Sequence, residues 1–414
     1  MNKRIYLCLA HMSGMEQQYI QEAFDTNWVV PLGPNVNAFE NDLQQFVGQN
    51  KHVVALSSGT AAVHLSLIAC GVKAGDEVCV QSFTFCASSH PITYLGATPI
   101  FIDSEKDSWN MDPALLEQAI LDRKAIMGHY PKAIIVVALY GMPYRIEEIL
   151  AIANRYHIPV IEDAAEGLGA RYKGQVLGTF GEYGVLSFNG NKMITTSGGG
   201  ALICPDEAAK QTIMWYATQA REAYPYYQHE AIGYNYRLSN ICAGIGRGQM
   251  TVLDDHIRHH QHIAQLYKAA FADIPGITFH DNPNADYESN FWLNTILLDP
   301  SIRIKGQENA YQTATTSAIG GVASVTHVSK ELTSDCQPNA NIEALRIYLD
   351  QYNIEARPLW KPMHKQPVYK DAPAYTNGIS ETLFLTGLCL PSGPMVTDDD
   401  VHYIINTILS AIEK

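Results

Sequence analysis

Residues 133–166 have the sequence AIIVVALYGMPYRIEEILAIANRYHIPVIEDAAE, and this stretch determines the fold class. Its two ends, Ala133–Tyr140 and Ile158–Glu162, are short apolar runs of the kind that form buried strands. Between them, in Arg145–His157, apolar residues recur at three- and four-residue steps, which predicts a helix with one buried face. Apolar strands joined by an amphipathic helix are typical of a mostly parallel sheet that is covered on both faces.

The alternation of apolar runs and helical patterns continues on both sides of this stretch. Helices are predicted at Thr60–Cys70 and Pro113–Arg123, and Asp112 before Pro113 is a typical N-cap. Five more runs are predicted as strands, namely Val53–Leu56, Glu77–Gln81, Thr98–Asp103, Tyr183–Phe188 and Gly200–Cys204. The sequence therefore predicts an α/β domain with seven strands in a mostly parallel sheet.

The pattern changes after Cys204. A long helix rich in His and Gln is predicted at Leu238–Ala270, followed by a strand at Phe291–Leu298 and a closing amphipathic helix at Asp398–Ile412. Residues 300–341 are polar and have no clear period, which favours a surface excursion. The layout is a large α/β domain, a long connecting helix and a smaller C-terminal α+β domain.

Composition excludes several classes of protein. The chain has 414 residues, of which 47% are hydrophobic and 17% charged, and its formal net charge is −14. These values exclude a disordered protein, and the acidic balance argues against a nucleic-acid partner, because a phosphate backbone needs a basic surface. There is no membrane-spanning run and no secretion signal, so we expect a cytoplasmic protein. The eight cysteines are scattered without C-x-x-C spacing, which predicts neither a disulfide framework nor a metal site.

Three motifs of the predicted large domain carry candidate chemistry. The first is Ser57–Ala62, a run of small residues between a strand and a helix. There the free N–H groups at the N-terminus of the helix would bind an anion. Such turns often only cap the helix, so this motif is weak evidence when taken alone.

The second motif is Asp163, at the end of an apolar strand, which is where open α/β sheets bind their ligands. The third is Lys192, which follows the strand ending at Phe188 and is flanked by small, turn-forming residues. Taken singly, Asp163 is more simply a surface residue at a strand end, and most lysines extend into solvent. A lysine in a partly dehydrated cleft, however, serves as a Schiff-base nucleophile and proton shuttle.

Together, and in this order, the three motifs match the parts that pyridoxal phosphate needs. Its aldehyde needs a lysine, its pyridine nitrogen an acid, and its phosphate a helix N-terminus. Phe85 offers a flat surface on which the ring would stack, although its spacing fits a core position equally well. The combination predicts a pyridoxal phosphate enzyme.

Over nearly its full length the chain resembles the DegT-type nucleotide-sugar aminotransferases, which belong to the fold type I class of pyridoxal phosphate enzymes. The resemblance is carried by Pro31–Gly33, Ser57–His64, Ser82–Ser88, Glu162–Gly169, Leu177–Gly181, Ser187–Gly200, Gly233–Asn240, Ala356–His364 and Leu390–Gly393. It implies an aspartate aminotransferase-like, three-layer α/β/α large domain at 1–255, with an N-terminal arm at 1–30, and a small α+β domain at 256–414. It also implies a homodimer with shared active sites.

The matching motifs imply roles for individual residues. Lys192 resembles the catalytic Schiff-base lysine and Asp163 the partner of the pyridine nitrogen, while Phe85 falls where the family stacks an aromatic ring on the cofactor. The other implied cofactor contacts are Gly59, Thr60 and Ser187 at the phosphate, Glu166 near the phenolic oxygen, where the family often has His or Gln, and Asn235 at the phosphate in the neighbouring subunit. The residues implied to line the sugar-nucleotide pocket are Asn27, Trp28, Val29, Val30, Arg357, Pro358, Leu359 and Trp360. No metal is implied.

The resemblance also implies the reaction. Because Lys192 is present, transamination is favoured over the dehydration catalysed by relatives that have histidine there. The expected reaction moves an amino group from L-glutamate to C4 of a nucleotide-linked 4-keto-6-deoxy sugar. Residues 189–192, 221–222 and 357–360 look closest to enzymes that act on UDP-2-acetamido-2,6-dideoxy-4-ketohexoses, in pathways of the bacillosamine and legionaminic acid type. The alternatives are a GDP- or dTDP-linked keto-sugar aminotransferase and a non-catalytic, cofactor-binding regulator.

Overall fold

The computed structural model describes residues 3–311 and 336–413, so the middle of the predicted excursion at 300–341 lies outside the described residues. The helices of the described residues are α1 Glu16–Asp25, α2 Pro34–Val47, α3 Gly59–Ala69, α4 His90–Tyr94, α5 Pro113–Met127, α6 Ile146–Tyr156, α7 Glu207–Ala217, α8 Asn240–Met250, α9 Leu253–Phe271, α10 Ala340–Gln351, α11 Ile379–Thr386 and α12 Asp398–Ala411. The strands are β1 His52–Leu56, β2 Glu77–Gln81, β3 Thr98–Ile102, β4 Ala133–Val137, β5 Val160–Asp163, β6 Arg171–Tyr172, β7 Gln175–Val176, β8 Tyr183–Ser187, β9 Gly200–Cys204, β10 Ile277–Phe279, β11 Tyr287–Glu288, β12 Asn294–Leu298, β13 Arg357–Pro358, β14 Ala374–Tyr375 and β15 Gly387–Leu390.

The main sheet has eight strands in the order β1-β9-β8-β5-β4-β2-β3-β14. Within the described residues β9 alone runs against the others, since β1 and β8 pair with it antiparallel and every pair from β8 to β14 is parallel. All seven predicted strands are present, which confirms the α/β class and the mostly parallel sheet. The eighth, β14, was not predicted, because it is two residues long and comes from far down the chain.

Helices cover both faces of the main sheet, as the apolar strands require. Val53 and Val54 are neighbours on β1 and point to opposite faces, and each is fully buried in a different core. The core of one face includes Phe39 of α2 and Ile149 of α6, and the core of the other face includes Leu65 of α3. The three-layer arrangement agrees with the fold type I expectation.

Two predicted elements in the second half of the chain differ from the structure. The helix predicted at Leu238–Ala270 is two helices, α8 and α9, which are separated at Thr251 and Val252. The Thr251 hydroxyl donates to the Gly248 carbonyl at 2.6 Å, a local hydrogen bond that competes with the helix at this position. The strand predicted at Phe291–Leu298 begins only at Asn294, because Phe291 has a left-handed backbone with φ of 49°.

A four-stranded sheet in the order β10-β12-β15-β13 packs with α9, α10 and α12 around a second core. Ile263, Leu345 and Ile404 are fully buried there. Ile5, near the N-terminus, also joins this core and forms a β-bridge with Ile354. The domain limits at 255 and 256 remain predictions. Among the described helices, none is both long and apolar enough to cross a membrane.

Candidate active site

The carboxyl ends of β5 and β8 and the N-terminus of α3 lie along one edge of the main sheet. Ser58 caps α3, and its hydroxyl accepts a hydrogen bond from the Ala61 N–H at 3.0 Å. The N–H groups of Gly59 and Thr60 have no acceptor among the described residues, as is usual in the first turn of a helix. These donors are suited to an anion, because the positive end of the helix dipole adds to them.

Close packing explains why this edge has glycine at two positions. A Cβ on Gly59 would lie 3.1 Å from Ser187 Cβ, and a Cβ on Gly200 would lie 2.4 Å from the Gly59 nitrogen. A side chain at either position would push α3 away from β8 and β9. The glycines therefore keep the Ser187 hydroxyl, at the end of β8, beside the first N–H groups of α3.

Asp163 ends β5 and is almost completely buried, with 5% of its surface exposed. One carboxylate oxygen accepts from Ser88 Oγ at 2.6 Å and the other from the Ala165 N–H at 3.2 Å. Burial raises the pKa of Asp163, and these donors and the charge of Lys192 oppose that rise only in part. No salt bridge of the described residues includes Asp163. Such a carboxylate is suited to a positively charged partner, such as a protonated pyridine nitrogen.

Lys192 lies in the loop after β8, between a carboxylate and an aromatic ring. Its Nζ is 3.1 Å from Glu166 Oε1 and 4.0 Å from the centroid of the Trp292 ring. The other oxygen of Glu166 accepts from the Tyr140 N–H at 2.8 Å. Burial raises the pKa of Glu166 to about 7, although the charge of Lys192 opposes that rise. The lysine amine is thus held at the sheet edge and largely shielded from water, as a Schiff-base lysine requires.

An aromatic cluster extends away from the Lys192 amine. The centroid of the Trp360 ring lies 6.4 Å from Trp292, 5.1 Å from Tyr140 and 5.6 Å from Phe85. The backbone N–H of Trp360 also donates to Tyr140 Oη at 2.9 Å. Phe85 is 55% exposed, so its alternative assignment to the core is wrong. Its ring is accessible for stacking at the edge of this cluster.

The predicted substrate segment 357–360 is divided between the surface and the core. Arg357 forms an ion pair with Glu355 at 2.6 Å, and its side chain is 37% exposed. Pro358 is half-buried in β13, whereas Leu359 is buried and packs closely against Gly387. The role of Leu359 in binding substrate remains a prediction.

The other predicted substrate segment and Asn235 do not contact Lys192 among the described residues. Trp28, Val29 and Val30 are each about two-fifths exposed or more, at 39%, 48% and 40%, and Asn27 has a left-handed backbone with φ of 58°. Asn235 is also exposed and forms a β-bridge with Thr218. Their roles, like the other residue roles implied by resemblance, remain predictions.

Asn240 joins two of the stretches that carry the family resemblance. Its side-chain nitrogen donates to the Trp28 carbonyl at 2.9 Å, and its backbone N–H donates to the Val30 carbonyl at 3.0 Å. A Cβ on Gly33, which has φ of +138°, would lie 2.8 Å from Asn240 Oδ1. Glycine at residue 33 therefore allows the N-terminal arm to approach the start of α8.

Sequence reasoning missed four residues that build this site: Ser88, Tyr140, Asn290 and Trp292. Ser88 follows the strand predicted at Glu77–Gln81, and Tyr140 is the last residue of the strand predicted at Ala133–Tyr140, so the position at a strand end was an available signal for both. Asn290 and Trp292 come from the loop before β12 and had no signal, because their contacts join residues more than 100 positions apart.

Comparison with known protein families agrees with this geometry. The model of the DegT/DnrJ/EryC1/StrS aminotransferase family matches residues 11–320 and 307–409. The chain belongs to this family.

Individual relatives match over almost the whole chain. EpsN of Bacillus subtilis (strain 168), whose name assigns it to the pyridoxal phosphate-dependent aminotransferases, is 45% identical over 413 residues, which are 99% of this chain and 96% of that protein. GDP-perosamine synthase of Escherichia coli O157:H7 is 34% identical, and the match covers 96% of this chain and 95% of that protein. A solved structure of a DegT DnrJ EryC1 StrS aminotransferase from Brucella abortus has a TM-score of 0.82 at 27% identity, and the match covers 97% of this chain and 96% of that one.

The protein is thus a pyridoxal phosphate-dependent nucleotide-sugar aminotransferase of the DegT family. Three features of its sheet edge fit the cofactor. The buried carboxylate of Asp163 has no salt bridge among the described residues, the N–H groups of Gly59 and Thr60 have no acceptor there, and Lys192 Nζ is largely shielded from water. These features correspond to the pyridine nitrogen, the phosphate and the aldehyde of pyridoxal phosphate.

Proposed function

We propose that this aminotransferase moves an amino group from L-glutamate to C4 of UDP-2-acetamido-2,6-dideoxy-4-ketohexose. The product would enter glycan biosynthesis of the bacillosamine or legionaminic acid type in the cytoplasm. The proposal includes a homodimer with shared active sites and a large domain at 1–255 followed by a small one at 256–414. The observation that carries it is that the shielded Lys192 amine and the buried carboxylate of Asp163 lie at the same sheet edge.

The residues at the sheet edge would hold the cofactor in the following way. The N–H groups of Gly59 and Thr60 and the Ser187 hydroxyl bind the phosphate, and Asp163 binds the pyridine nitrogen. The ring of Phe85 stacks on the cofactor, Glu166 lies near its phenolic oxygen, and Asn235 of a second subunit reaches its phosphate. When bound there, pyridoxal phosphate supplies an electron sink that stabilises the carbanion left when the amino acid loses its α-proton.

Lys192 and Asp163 carry out complementary tasks. Lys192 Nζ would hold the cofactor through its aldehyde, and the same amine, once free, would take and return the transferred proton. The negative charge of Asp163 keeps a proton on the pyridine nitrogen, and the Ser88 hydroxyl fixes the orientation of that carboxylate at 2.6 Å. Because Lys192 Nζ is largely shielded from bulk water, the proton is retained for return to the product.

Arg357 is proposed to bind the diphosphate of the nucleotide. Its planar fork suits a phosphate, and its side chain is 37% exposed. In the structure the fork pairs with Glu355, which also accepts a hydrogen bond from the Leu7 N–H at 3.1 Å. To bind the diphosphate, the Arg357 guanidinium must give up some or all of its hydrogen bonds to Glu355. The competing carboxylate therefore reduces the affinity of Arg357 for the nucleotide.

A GDP-linked 4-keto-6-deoxy sugar is the second candidate substrate. The specific observation in its favour is the 34% identity to GDP-perosamine synthase of Escherichia coli O157:H7 over nearly the whole chain. A dTDP-linked sugar has no comparable support. A cofactor-binding regulator without activity is disfavoured because the lysine, the acid and the anion site are all present.

The test is a substrate panel. Purified protein loaded with pyridoxal phosphate is mixed with L-glutamate and with UDP-, GDP- or dTDP-linked 4-keto sugars, and the release of 2-oxoglutarate is followed. We expect the UDP-linked 2-acetamido sugar to give the highest kcat/KM. A higher kcat/KM with the GDP-linked sugar would replace the proposal by the second candidate. If glutamate does not change the visible absorbance of the loaded protein, transamination with this donor is excluded.

A further inference from the structure

Trp292 lies directly against the residue that the proposed function uses as its catalytic lysine. The centroid of its ring is 4.0 Å from Lys192 Nζ, a distance at which the face of an indole attracts an ammonium group. Its ring nitrogen donates to the carbonyl of Asn191, the residue before Lys192, at 2.6 Å. Trp292 is 3% exposed, so both contacts are made away from water. A single side chain therefore contacts both the backbone and the amine of the lysine loop.

Asn290 links the backbone of Trp292 to the backbone of Glu166, the residue on the other side of the lysine. Its side-chain nitrogen donates to the carbonyls of Glu166 at 2.8 Å and Leu168 at 2.9 Å. Its side-chain oxygen accepts from the backbone N–H of Trp292 at 2.9 Å. Asn290 is fully buried, and its amide makes hydrogen bonds through both its oxygen and its nitrogen. The two groups that flank Lys192 Nζ, Glu166 and Trp292, are consequently fixed relative to each other.

Two histidines of α9 support the same two chain segments. His256 Nδ1 donates to the carbonyl of Met193, the residue after Lys192, at 3.0 Å. One helical turn further, His260 Nδ1 donates to the carbonyl of Phe291, the residue before Trp292, at 3.1 Å. Burial lowers the pKa of His260 to about 3, so this histidine stays neutral. Two of the histidines that make the sequence of this helix His-rich therefore fix the segments around Lys192 and Trp292.

We infer that Trp292 is a positioning residue that holds the released amine of Lys192 between its ring and Glu166. The inference rests on the proposed function for the role of Lys192, but the contact itself is independent of that role. The lysine must leave its covalent bond in the first half of a transamination and return to the same carbon atom at the end of the second half. A site that retains the free amine keeps it within reach of that atom, because a long, flexible side chain would otherwise sample many orientations.

A purely structural role for Trp292 is the competing explanation, since a buried indole often only fills space. The two explanations differ in what they predict for the chemistry of Lys192. Amine-reactive reagents must reach the Nζ nitrogen and attack it, so contacts that hold this nitrogen against a ring face slow the labelling of that lysine. A tryptophan that only fills space would be replaced with similar effect by Phe or Leu, since both are smaller than the indole and would open access to Lys192 to a similar extent.

The experiment measures the rate at which Lys192 is labelled in the cofactor-free protein, by peptide mass spectrometry, with the exposed Lys370 as internal reference. We expect Trp292→Leu to speed labelling of Lys192 by roughly threefold to thirtyfold, the range that corresponds to a cation–π contact. Trp292→Phe keeps a ring face, so its rate should lie closer to that of the wild type. Equal rates in the wild type and Trp292→Leu would overturn the inference, as would equal acceleration by Phe and Leu.

Trp109→Leu is the matched control for loss of a large buried side chain. Trp109 is 4% exposed and stacks on His280 with ring centroids 3.6 Å apart. This substitution should lower the melting temperature and leave the labelling rate of Lys192 unchanged. If Trp109→Leu accelerates labelling as much as Trp292→Leu, the effect reflects general loosening of the core and the inference is wrong.

Fluorinated tryptophan provides a second measurement if Trp292→Leu does not fold. Adding fluorine weakens the negative face of the indole with little change of shape, and Trp292 is the only tryptophan with a cation over its ring among the described residues. Labelling of Lys192 should rise stepwise from mono- to trifluorotryptophan, and a constant rate would overturn the inference. Borohydride reduction of the loaded wild type tests the proposed function separately, because it should attach the cofactor to Lys192 whatever the outcome for Trp292.

Discussion

Strand β5 ends in two neighbouring carboxylates, Glu162 and Asp163, which differ in how many hydrogen bonds the protein donates to them. Glu162 is fully buried and accepts hydrogen bonds from the Tyr144 hydroxyl and from three backbone N–H groups within 178–181. Asp163, the next residue, accepts from two groups among the described residues, the Ser88 hydroxyl and one backbone N–H. Burial raises the pKa of both carboxyl groups, but Glu162 has twice as many donors to oppose that rise.

The difference teaches how one strand serves both stability and chemistry. Successive side chains of a strand point to opposite faces, so Glu162 and Asp163 meet different neighbours although they share a backbone. The Glu162 face is saturated by the protein, and a ligand has nothing to add there. The Asp163 face leaves acceptor capacity for a ligand, and Asp163 lies near enough to Lys192 for the charge of that lysine to oppose the rise of its pKa. Substitutions on the two faces should therefore act on different measurable properties.

The largest effect on activity should come from substitution of Lys192, which lies near Asp163. Lys192→Ala removes the group that bonds to the cofactor and moves the proton, so we expect turnover to fall roughly 10,000-fold or more. The rate of 2-oxoglutarate release measures this. The exposed Lys106→Ala should retain full activity. Turnover of Lys192→Ala within tenfold of the wild type would remove Lys192 from the proposed mechanism.

Asp163→Asn should weaken binding of the cofactor. Breaking a buried ion pair costs about 3–5 kcal/mol, so the dissociation constant of pyridoxal phosphate should rise roughly 200- to 5000-fold. The melting temperature of the cofactor-free protein should not fall, because the substitution removes a buried charge that has no salt bridge within the described chain. Absorbance titration gives the affinity, and an unchanged affinity would contradict the pairing with the pyridine nitrogen.

Glu162→Gln should give the reverse pattern on the opposite face. The amide accepts through one oxygen only, so at least one N–H within 178–181 loses its partner, at about 1–3 kcal/mol for each group. We expect a lower melting temperature and an unchanged affinity of the folded protein for pyridoxal phosphate. If Glu162→Gln and Asp163→Asn reduce cofactor affinity equally, the two faces of β5 do not have separate roles in stability and in cofactor binding.

The smallest effect should be a pH dependence from Glu166. Its pKa is about 7 in the folded protein, against a reference value of 4.5, so the folded state binds this proton more tightly than the unfolded state. Its contribution to stability is complete below about pH 4.5 and is lost as the pH rises towards 7. Relative to Glu166→Gln, the cofactor-free wild type should lose about 1 kcal/mol of unfolding free energy between pH 5 and 6.

The control for this titration is Glu162→Gln, a substitution of the neighbouring buried carboxylate on β5. Urea unfolding of wild type and Glu166→Gln is compared at matched pH values, and Glu162→Gln is measured in parallel. A difference between wild type and Glu166→Gln that stays constant over this pH range would show that Glu166 does not titrate there.

The sequence was sufficient to predict the seven large-domain strands because each is a compact apolar run bounded by turn-forming residues. It also allowed Asp163 and Lys192 to be singled out, because both follow such runs directly. Trp292 and Asn290 escaped prediction for a physical reason. Their segment was predicted as a strand, but the backbone of Phe291 turns into the left-handed region before β12 begins. Contacts made by such an irregular segment depend on the packing of two distant parts of the chain, which local pattern does not encode.

The eighth strand of the main sheet has a consequence for biosynthesis. β14 pairs with β3 through Ala374 and Tyr375, so the outer edge of β3 is covered only by residues near the C-terminus. While the chain leaves the ribosome, Thr98–Ile102 emerges more than 270 residues before its last partner. During that interval an open strand edge is available to other nascent chains, which is a known route to aggregation. A chain that is cut at residue 255 would keep this edge open permanently.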